Sequence, residues 1–179
     1  MDETVEARLV CESRKGSRES FGELLDHYQK PVFNVAYRIL SNYEDAKDVT
    51  QNVFLKAFES LQDFDSKHRF FSWIYRIAVN EAINLRKSRK RFEAVEESTA
   101  KERNTPENLL SETELSQVIQ AALMSVGSEY RIVIVLKHFN DCSYRDIGEI
   151  LEIPEKTVKS RLFTARNLLK DVLSRKGIL

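Results

Sequence analysis

Between Phe70 and Arg91 the chain reads FFSWIYRIAVNEAINLRKSRKR, and this stretch limits the fold more than any other. Ile74, Ile77, Ala78 and Leu85 recur at helical spacing and give one apolar face. At 100° per residue, Arg76, Asn80, Asn84, Lys87 and Arg91 fall on a different stripe. The segment is therefore a long helix that must bury one side against other elements and leave a polar stripe open. Asn amides donate to and accept from base edges, and Arg and Lys hold phosphate. Arg86, Lys87, Arg89, Lys90 and Arg91 follow Leu85 with no acid among them. Taken alone, the segment fits a nucleic-acid strand and a solvated face with a cationic last turn equally well.

The rest of the chain has few helix breakers. Five Gly and three Pro in 179 residues favour long helices, and no alternating stretch reads as a strand. The length fits one large domain or two small ones. No apolar run is long enough to span a bilayer, and the acidic N-terminus is unlike a signal peptide, so a cytoplasmic protein with no membrane insertion of its own is expected. Cys11 and Cys142 stand far apart and outside any CxxC pattern, as expected of free thiols. His27, His68 and His138 are scattered likewise, so no metal site and no cofactor is expected.

Net charge is zero but unevenly placed. Residues 66–91 carry 8 bases and one acid, residues 92–115 carry 7 acids and 2 bases, and residues 155–176 carry 7 bases and 2 acids. Two basic blocks separated by an acidic one point to two nucleic-acid contacts on one chain.

In chain order, residues 1–15 read as a marginal first helix, and Phe21, Leu24, Leu25 and Tyr28 as the buried face of a second. Pro31 is expected at the first turn of a new helix, with Val32, Val35, Ala36, Ile39 and Leu40 as its core. Between Glu44 and Leu61, Ala46, Val49, Val53, Ala57 and Leu61 face inward, while Asp45, Asp48, Asn52, Lys56 and Glu59 form a separate stripe. That stripe is either solvated or a docking surface. The polar loop Asp63 to Arg69 precedes the long helix and is placed to reach an unstacked base. Residues 92–114 lack sustained periodicity and are rich in Glu, Ser, Thr and Asn, which predicts a linker. Leu115, Val118, Ile119, Ala122 and Leu123 then face inward, Val126-Gly127 interrupts, and Ser128 is expected to cap a strongly apolar helix through Phe139.

Ser143-Tyr144-Arg145-Asp146 opens a short helix with a capping-box pattern. A tight turn at Glu152-Ile153-Pro154 leads to a longer helix with Val158, Leu162, Ala165, Leu169 and Val172 on its buried side. Lys156, Lys159, Ser160, Phe163, Thr164, Asn167 and Lys170 lie opposite. Short helix, short turn and longer basic helix form the helix-turn-helix pattern, whose second helix enters the major groove. An outward Phe163 beside Lys and Ser suits a thymine methyl.

Taken together the sequence resembles the extracytoplasmic-function (ECF) sigma factors of bacteria over residues 17–91 and 115–175. DAKDVTQNVFLKAFESL resembles the family segment that grips the clamp helices of RNA polymerase. FFSWIYRIAVNEAIN with its basic tail is similar to the helix that recognises and melts the −10 element. EYRIVIVLKHFNDCSYRDIGEIL followed by IPEKTVKSRLFTARNLL is similar to the −35-reading helix-turn-helix. The resemblance implies an all-α fold of two small helical domains, 1–91 and 115–179, joined by a flexible linker at 92–114. It implies that Asp45, Asp48, Gln51 and Asn52 face core RNA polymerase (its beta and beta-prime subunits). Arg76, Asn80, Asn84 and Lys87 would hold the −10 strand, and the loop Asp63 to Arg69 a flipped base, with Trp73 either a wedge beside the stripe or, the favoured reading, packed beneath the loop. Lys156, Lys159, Ser160, Arg161, Phe163 and Thr164 would meet the −35 duplex, while Ser143, Tyr144 and Arg145 position phosphates. An anti-sigma factor is an implied partner, and promoter DNA the target. No catalytic residue is implied. The sequence departs from the family's usual pattern at several points. Val126-Gly127 stands where Leu-Pro is common, Gly148 where Ala is frequent, Glu152 where Gly is frequent, and Thr164 where Arg is frequent. The change at Glu152 predicts a slightly opened turn.

Two other classes compete. An autonomous dimeric helix-turn-helix regulator would read half-sites one turn apart, yet the chain shows no interface repeat or ligand motif. A nuclease needs clustered carboxylates near a basic groove, which the basic blocks lack.

Overall fold

The computed structural model describes residues 1–95, 114–175 and 177–178. Of the predicted linker 92–114, residues 96–113 lie outside them, whereas 92–95 continue the helix that begins at Phe70 and Glu114 opens the next one. Eight α-helices make up the regular structure of the described residues, joined by one short 3-10 turn. They are α1 (Glu3–Arg14), α2 (Arg18–Leu40), α3 (Tyr43–Ser60), α4 (Phe70–Val95), α5 (Glu114–Ser125), α6 (Ser128–His138), α7 (Tyr144–Leu151) and α8 (Glu155–Arg175). The fold is all-α, as expected.

The first four helices share a core. Leu24, Tyr28, Val32, Val35, Ala36 and Ile39 run along one side of α2 and are buried. That stripe explains a departure from the sequence reading. Pro31 does not start a helix but sits inside α2, which continues from Arg18 to Leu40. An interior proline costs about 3 kcal/mol through its missing donor and its ring. Each of the three buried side chains Leu24, Tyr28 and Val32, about one turn apart around the proline, contributes roughly 1.5–3 kcal/mol by leaving water. The packing of a continuous face outweighs the local break. Ser17 caps the start of α2 by accepting from Ser20 N–H, and Ser41 ends it in the left-handed conformation. Asn42 then caps α3 by accepting from Asp45 N–H.

The first helix is also firmer than its sequence indicates. Leu9 and Val10 are buried, and so is Glu6. The Tyr28 hydroxyl donates a short hydrogen bond to the Glu6 carboxylate. Phe71 N–H, in the first turn of α4, donates to the other Glu6 oxygen at 3.4 Å. Burial, then the Glu6 carboxylate, push the Tyr28 phenol above its ordinary pKa. Helix α1 thus fastens α2 to the start of α4.

In the second half, Ile132 to Leu136 of α6 are all buried, because α2, α7 and α8 pack around that helix. Three expectations fail here. Ser128 is the first residue of α6 rather than its cap, which is Gly127, and no side chain caps the end. Leu115 is exposed, and Phe139 is half out of the core, its ring under the Arg38 guanidinium at 4.8 Å. The apolar period of a single helix cannot register which side a neighbour leaves uncovered.

The helix-turn-helix is tightly made. Ser143 accepts from Asp146 N–H at 3.0 Å, and Asp146 accepts from Ser143 N–H at 2.8 Å, which completes the capping box. The turn after α7 is not opened. Glu152 itself adopts the left-handed conformation (φ 54°), at a cost of about 1 kcal/mol for a residue with a Cβ. Ile153 N–H reaches the Gly148 carbonyl at 3.0 Å. A Cβ at position 148 would lie 2.9 Å from the Ile153 carbonyl oxygen, so this close approach requires glycine there. The exchanges at Gly148 and Glu152 are two sides of one backbone arrangement.

Candidate nucleic-acid interface

Helix α4 buries Ile74, Tyr75, Ala78, Val79 and Ala82. With that face fixed, the 3.6-residue period turns Asn80, Asn84, Lys87 and Arg91 to solvent, and all four are exposed. Arg76 begins the same stripe but is half-buried, because α7 lies against it. Its Nη1 donates to Glu152 Oε1 at 2.9 Å and its Nη2 to the Glu149 carbonyl at 2.7 Å. Its Nε is buried without an acceptor among the described residues.

The loop before α4 carries Lys67, His68 and Arg69, all exposed. A cleft of about 840 Å³ opens between this loop and α1, lined by Cys11, Arg14, Phe64, Lys67, His68 and Arg69 among others. Trp73 packs under the loop, as expected, with its ring 5.0 Å from that of Phe64 and 5.4 Å from that of Phe70.

On α8, burial of Val158, Leu162 and Ala165 turns Lys156, Lys159, Ser160 and Phe163 outward, and all four are exposed. Phe163 is 69% exposed. Two members of the predicted set are placed otherwise. Thr164 is half-buried. Arg161 is half-buried too and reaches Glu129 of α6 at 3.4 Å, because its position on α8 leans toward that helix. The exposed Arg145 pairs with Glu149 at 3.1 Å. The half-buried Tyr144 ring has Lys137 Nζ at 5.3 Å and Lys159 Nζ at 5.6 Å. The Ser143 hydroxyl is engaged by the capping box. The buried Cys142 thiol is pushed up to about 12, chiefly by desolvation, and stays protonated at neutral pH.

The third surface is on α3. Asp48, Gln51 and Asn52 are exposed, as expected. Asp45 is not, with 6% of its surface accessible. It receives a short hydrogen bond from Arg89 of α4, and burial holds its carboxyl above the ordinary range against the pull of that guanidinium. Asp45 therefore ties α3 to α4 rather than standing on the open stripe. Lys56 makes a second tie, to Glu81 at 2.6 Å. In place of Asp45 the open face gains Leu55 and Phe58, which are 55% and 56% exposed. A helical wheel sets both outside the apolar face, so two large apolar residues at outward positions were the available signal.

One open polar face thus lies on α4 and a second on the longer helix of the helix-turn-helix. Residues 24–92 match sigma-70 region 2, and residues 116–169 match sigma-70 region 4. The ECF RNA polymerase sigma factor SigW of Bacillus subtilis is 33% identical over 178 residues, covering 93% of this chain and 95% of that protein. The ECF RNA polymerase sigma-E factor of Escherichia coli K12 is 33% identical over 175 residues, or 91% of each chain. The chain belongs to the ECF RNA polymerase sigma factors. Two solved structures share its fold at 23% identity. One is CnrH in complex with the cytosolic domain of CnrY, with a TM-score of 0.74 over 96% of this chain and 98% of that one. The other is the sigma factor RpoE of Bartonella quintana with the anti-sigma factor NepR, with a TM-score of 0.75 over 87% and 98%. No described helix is long and apolar enough to cross a membrane.

Proposed function

We propose that this sigma factor docks on core RNA polymerase in the cytoplasm and selects promoters with both domains. The observation that carries this reading is the pair of open faces, Asn80-Asn84-Lys87 on α4 and Lys156-Lys159-Ser160-Phe163 on α8, one in each matched region. Residues 1–91 bind the −10 strand and 115–179 read the −35 duplex, with 92–114 spanning between them. The cleft between α1 and the loop Asp63 to Arg69 receives a base taken out of the stack. Asp48, Gln51, Asn52, Leu55 and Phe58 form the polymerase-facing surface. The protein performs no catalysis itself, since nucleotidyl transfer belongs to the polymerase. An anti-sigma factor restrains it, a reading supported by the RpoE neighbour, which was solved in complex with the anti-sigma factor NepR.

The −35 face supplies the test. Lysine contacts to phosphate give affinity without sequence information, whereas a side chain against a base edge gives preference. Lys159→Ala is expected to weaken duplex binding about equally on all sequences and to lower the salt slope by about one. Phe163→Ala is expected to relax preference at one position by roughly 1–3 kcal/mol. Duplex-binding titrations over a −35 variant panel at two salt concentrations measure both. Equal losses on every sequence for both variants would remove Phe163 from the readers.

A further inference from the structure

Helix α1 holds the loop before α4 at both of its shoulders. At the near end, Arg14 Nη2 donates to the Gln62 carbonyl at 3.0 Å, and Gln62 Nε2 donates back to the Arg14 carbonyl at 2.7 Å. At the far end, Arg69 Nε meets Glu3 at 3.0 Å. These ties are exposed and contribute little on their own. The third tie is of another kind. Glu6 is 7% exposed, and its two oxygens take the Tyr28 hydroxyl and Phe71 N–H. Phe71 lies in the first turn of α4, where backbone donors lack helical partners, and that turn has no acid of its own. A carboxylate from another helix therefore supplies both an acceptor and the negative charge that suits a helix start. The Tyr28 ring in turn packs on Phe70 at 5.6 Å, and Phe70 on Phe64 at 5.8 Å. Glu6, Phe64 and Phe70 all line the cleft between α1 and the loop.

We infer that Glu6 is a positioning residue for base capture: it sets the wall of the cleft, and with it the preference for the base that the cleft receives. It acts by two routes. Through Tyr28 it fixes the ring on which Phe70 rests, and through Phe71 N–H it fixes where α4 leaves the loop. A site discriminates only while its walls hold to within roughly 0.5 Å, so a loosened wall loses preference before it loses affinity. Burial keeps the arrangement together, since a carboxylate or a hydroxyl left there without its partner is costly. Part of base selection is thereby placed on α1, at a residue remote in sequence from the loop. The inference rests on the reading of this cleft as the site of an unstacked base.

The test uses the full chain with core polymerase, on templates in which each −10 position in turn carries all of the bases. Glu6→Ala removes both acceptors. Glu6→Gln keeps an acceptor for Phe71 N–H and an amide that can donate to the Tyr28 oxygen. Tyr28→Phe removes the hydroxyl and keeps the ring on Phe70. Trp73 is the single tryptophan of the chain and packs under the loop, so its emission reports the loop in the absence of DNA. Glu6→Ala is expected to lower the preference for the best base at one −10 position by at least about fivefold, the lower end for one orphaned buried group, and to shift the Trp73 emission. Glu6→Gln should retain most of both, and Tyr28→Phe should fall between. Where Glu6→Ala does not fold, Tyr28→Phe and Glu6→Gln decide. Wild-type preference in Tyr28→Phe and Glu6→Ala overturns the inference alone. So does a loss that is equal for every base and follows only a lowered melting temperature, as a merely structural residue would give. A wild type with no base preference at any −10 position removes the cleft as a base site, and the inference with it.

Discussion

Replacing Arg131 by Leu is expected to cost about 3 kcal/mol or more of stability. Arg131 is fully buried. Its Nε donates to the Leu123 carbonyl at 2.8 Å, and its Nη2 to those of Met124 at 2.7 Å and Val126 at 3.0 Å. Its Nη1 crosses to the Ile39 carbonyl at 2.8 Å. These oxygens belong to the ends of α5 and α2, where carbonyls lack helical partners and the helix dipole is negative. Burial, then Arg86, lower its guanidinium to about 10, which still leaves it charged at neutral pH. Leucine fills part of the volume but strands four acceptors, and each buried orphan costs about 1–3 kcal/mol. Lysine would recover only part of the loss, since one ammonium cannot fork toward two helix ends. A thermal melt followed by circular dichroism should show a fall of roughly 6–12 °C for Arg131→Leu. A fall under about 2 °C would mean that the guanidinium bridge contributes little.

Asn80→Ala is the second large effect, and it is functional rather than structural. Asn80 sits mid-stripe on α4 and is exposed, so removing its amide leaves the core intact. Its amide has donors and an acceptor to match a base edge, which a methyl group cannot do. A base left unpaired costs about 1–3 kcal/mol, a fall of roughly 5- to 150-fold in open-complex formation. Binding to core polymerase and to the −35 duplex should be unchanged. Permanganate reactivity of unpaired thymines on ordinary duplex promoters measures the loss, and a template with a pre-melted −10 bubble separates opening from strand holding. Full reactivity with Asn80→Ala on several promoters would return the amide stripe to the status of a solvated surface.

Most of the fold was legible because long amphipathic periods fix which face of a helix is buried, and because Ser143-x-x-Asp146 encodes a cap within four residues. The open faces of single helices were legible for the same reason. Asn80, Asn84 and Lys87 on α4, and Lys156, Lys159, Ser160 and Phe163 on α8, are all exposed where the period puts them. What the period does not carry is a partner from a distant element. Asp45 was placed on the open stripe, but its partner Arg89 lies 44 residues on, and that pairing draws the carboxylate into the α3–α4 seam. Arg131 sits in an apolar run where a charge looks misplaced, and its burial follows only once three carbonyls of the α5–α6 corner and one from α2 converge on it. Pro31 shows the converse, since a strong local signal for a helix start yields to a buried stripe that passes straight through it.

The claim that this chain directs promoter-specific initiation is tested by transcription in vitro with core RNA polymerase over a promoter library, with and without the protein. The expected result is initiation only when the protein is present, from a small set of templates that share two sequence blocks at fixed spacing. Equal transcript profiles with and without the protein would contradict the claim. So would sequence-specific binding of a free dimer to DNA that core polymerase neither needs nor alters.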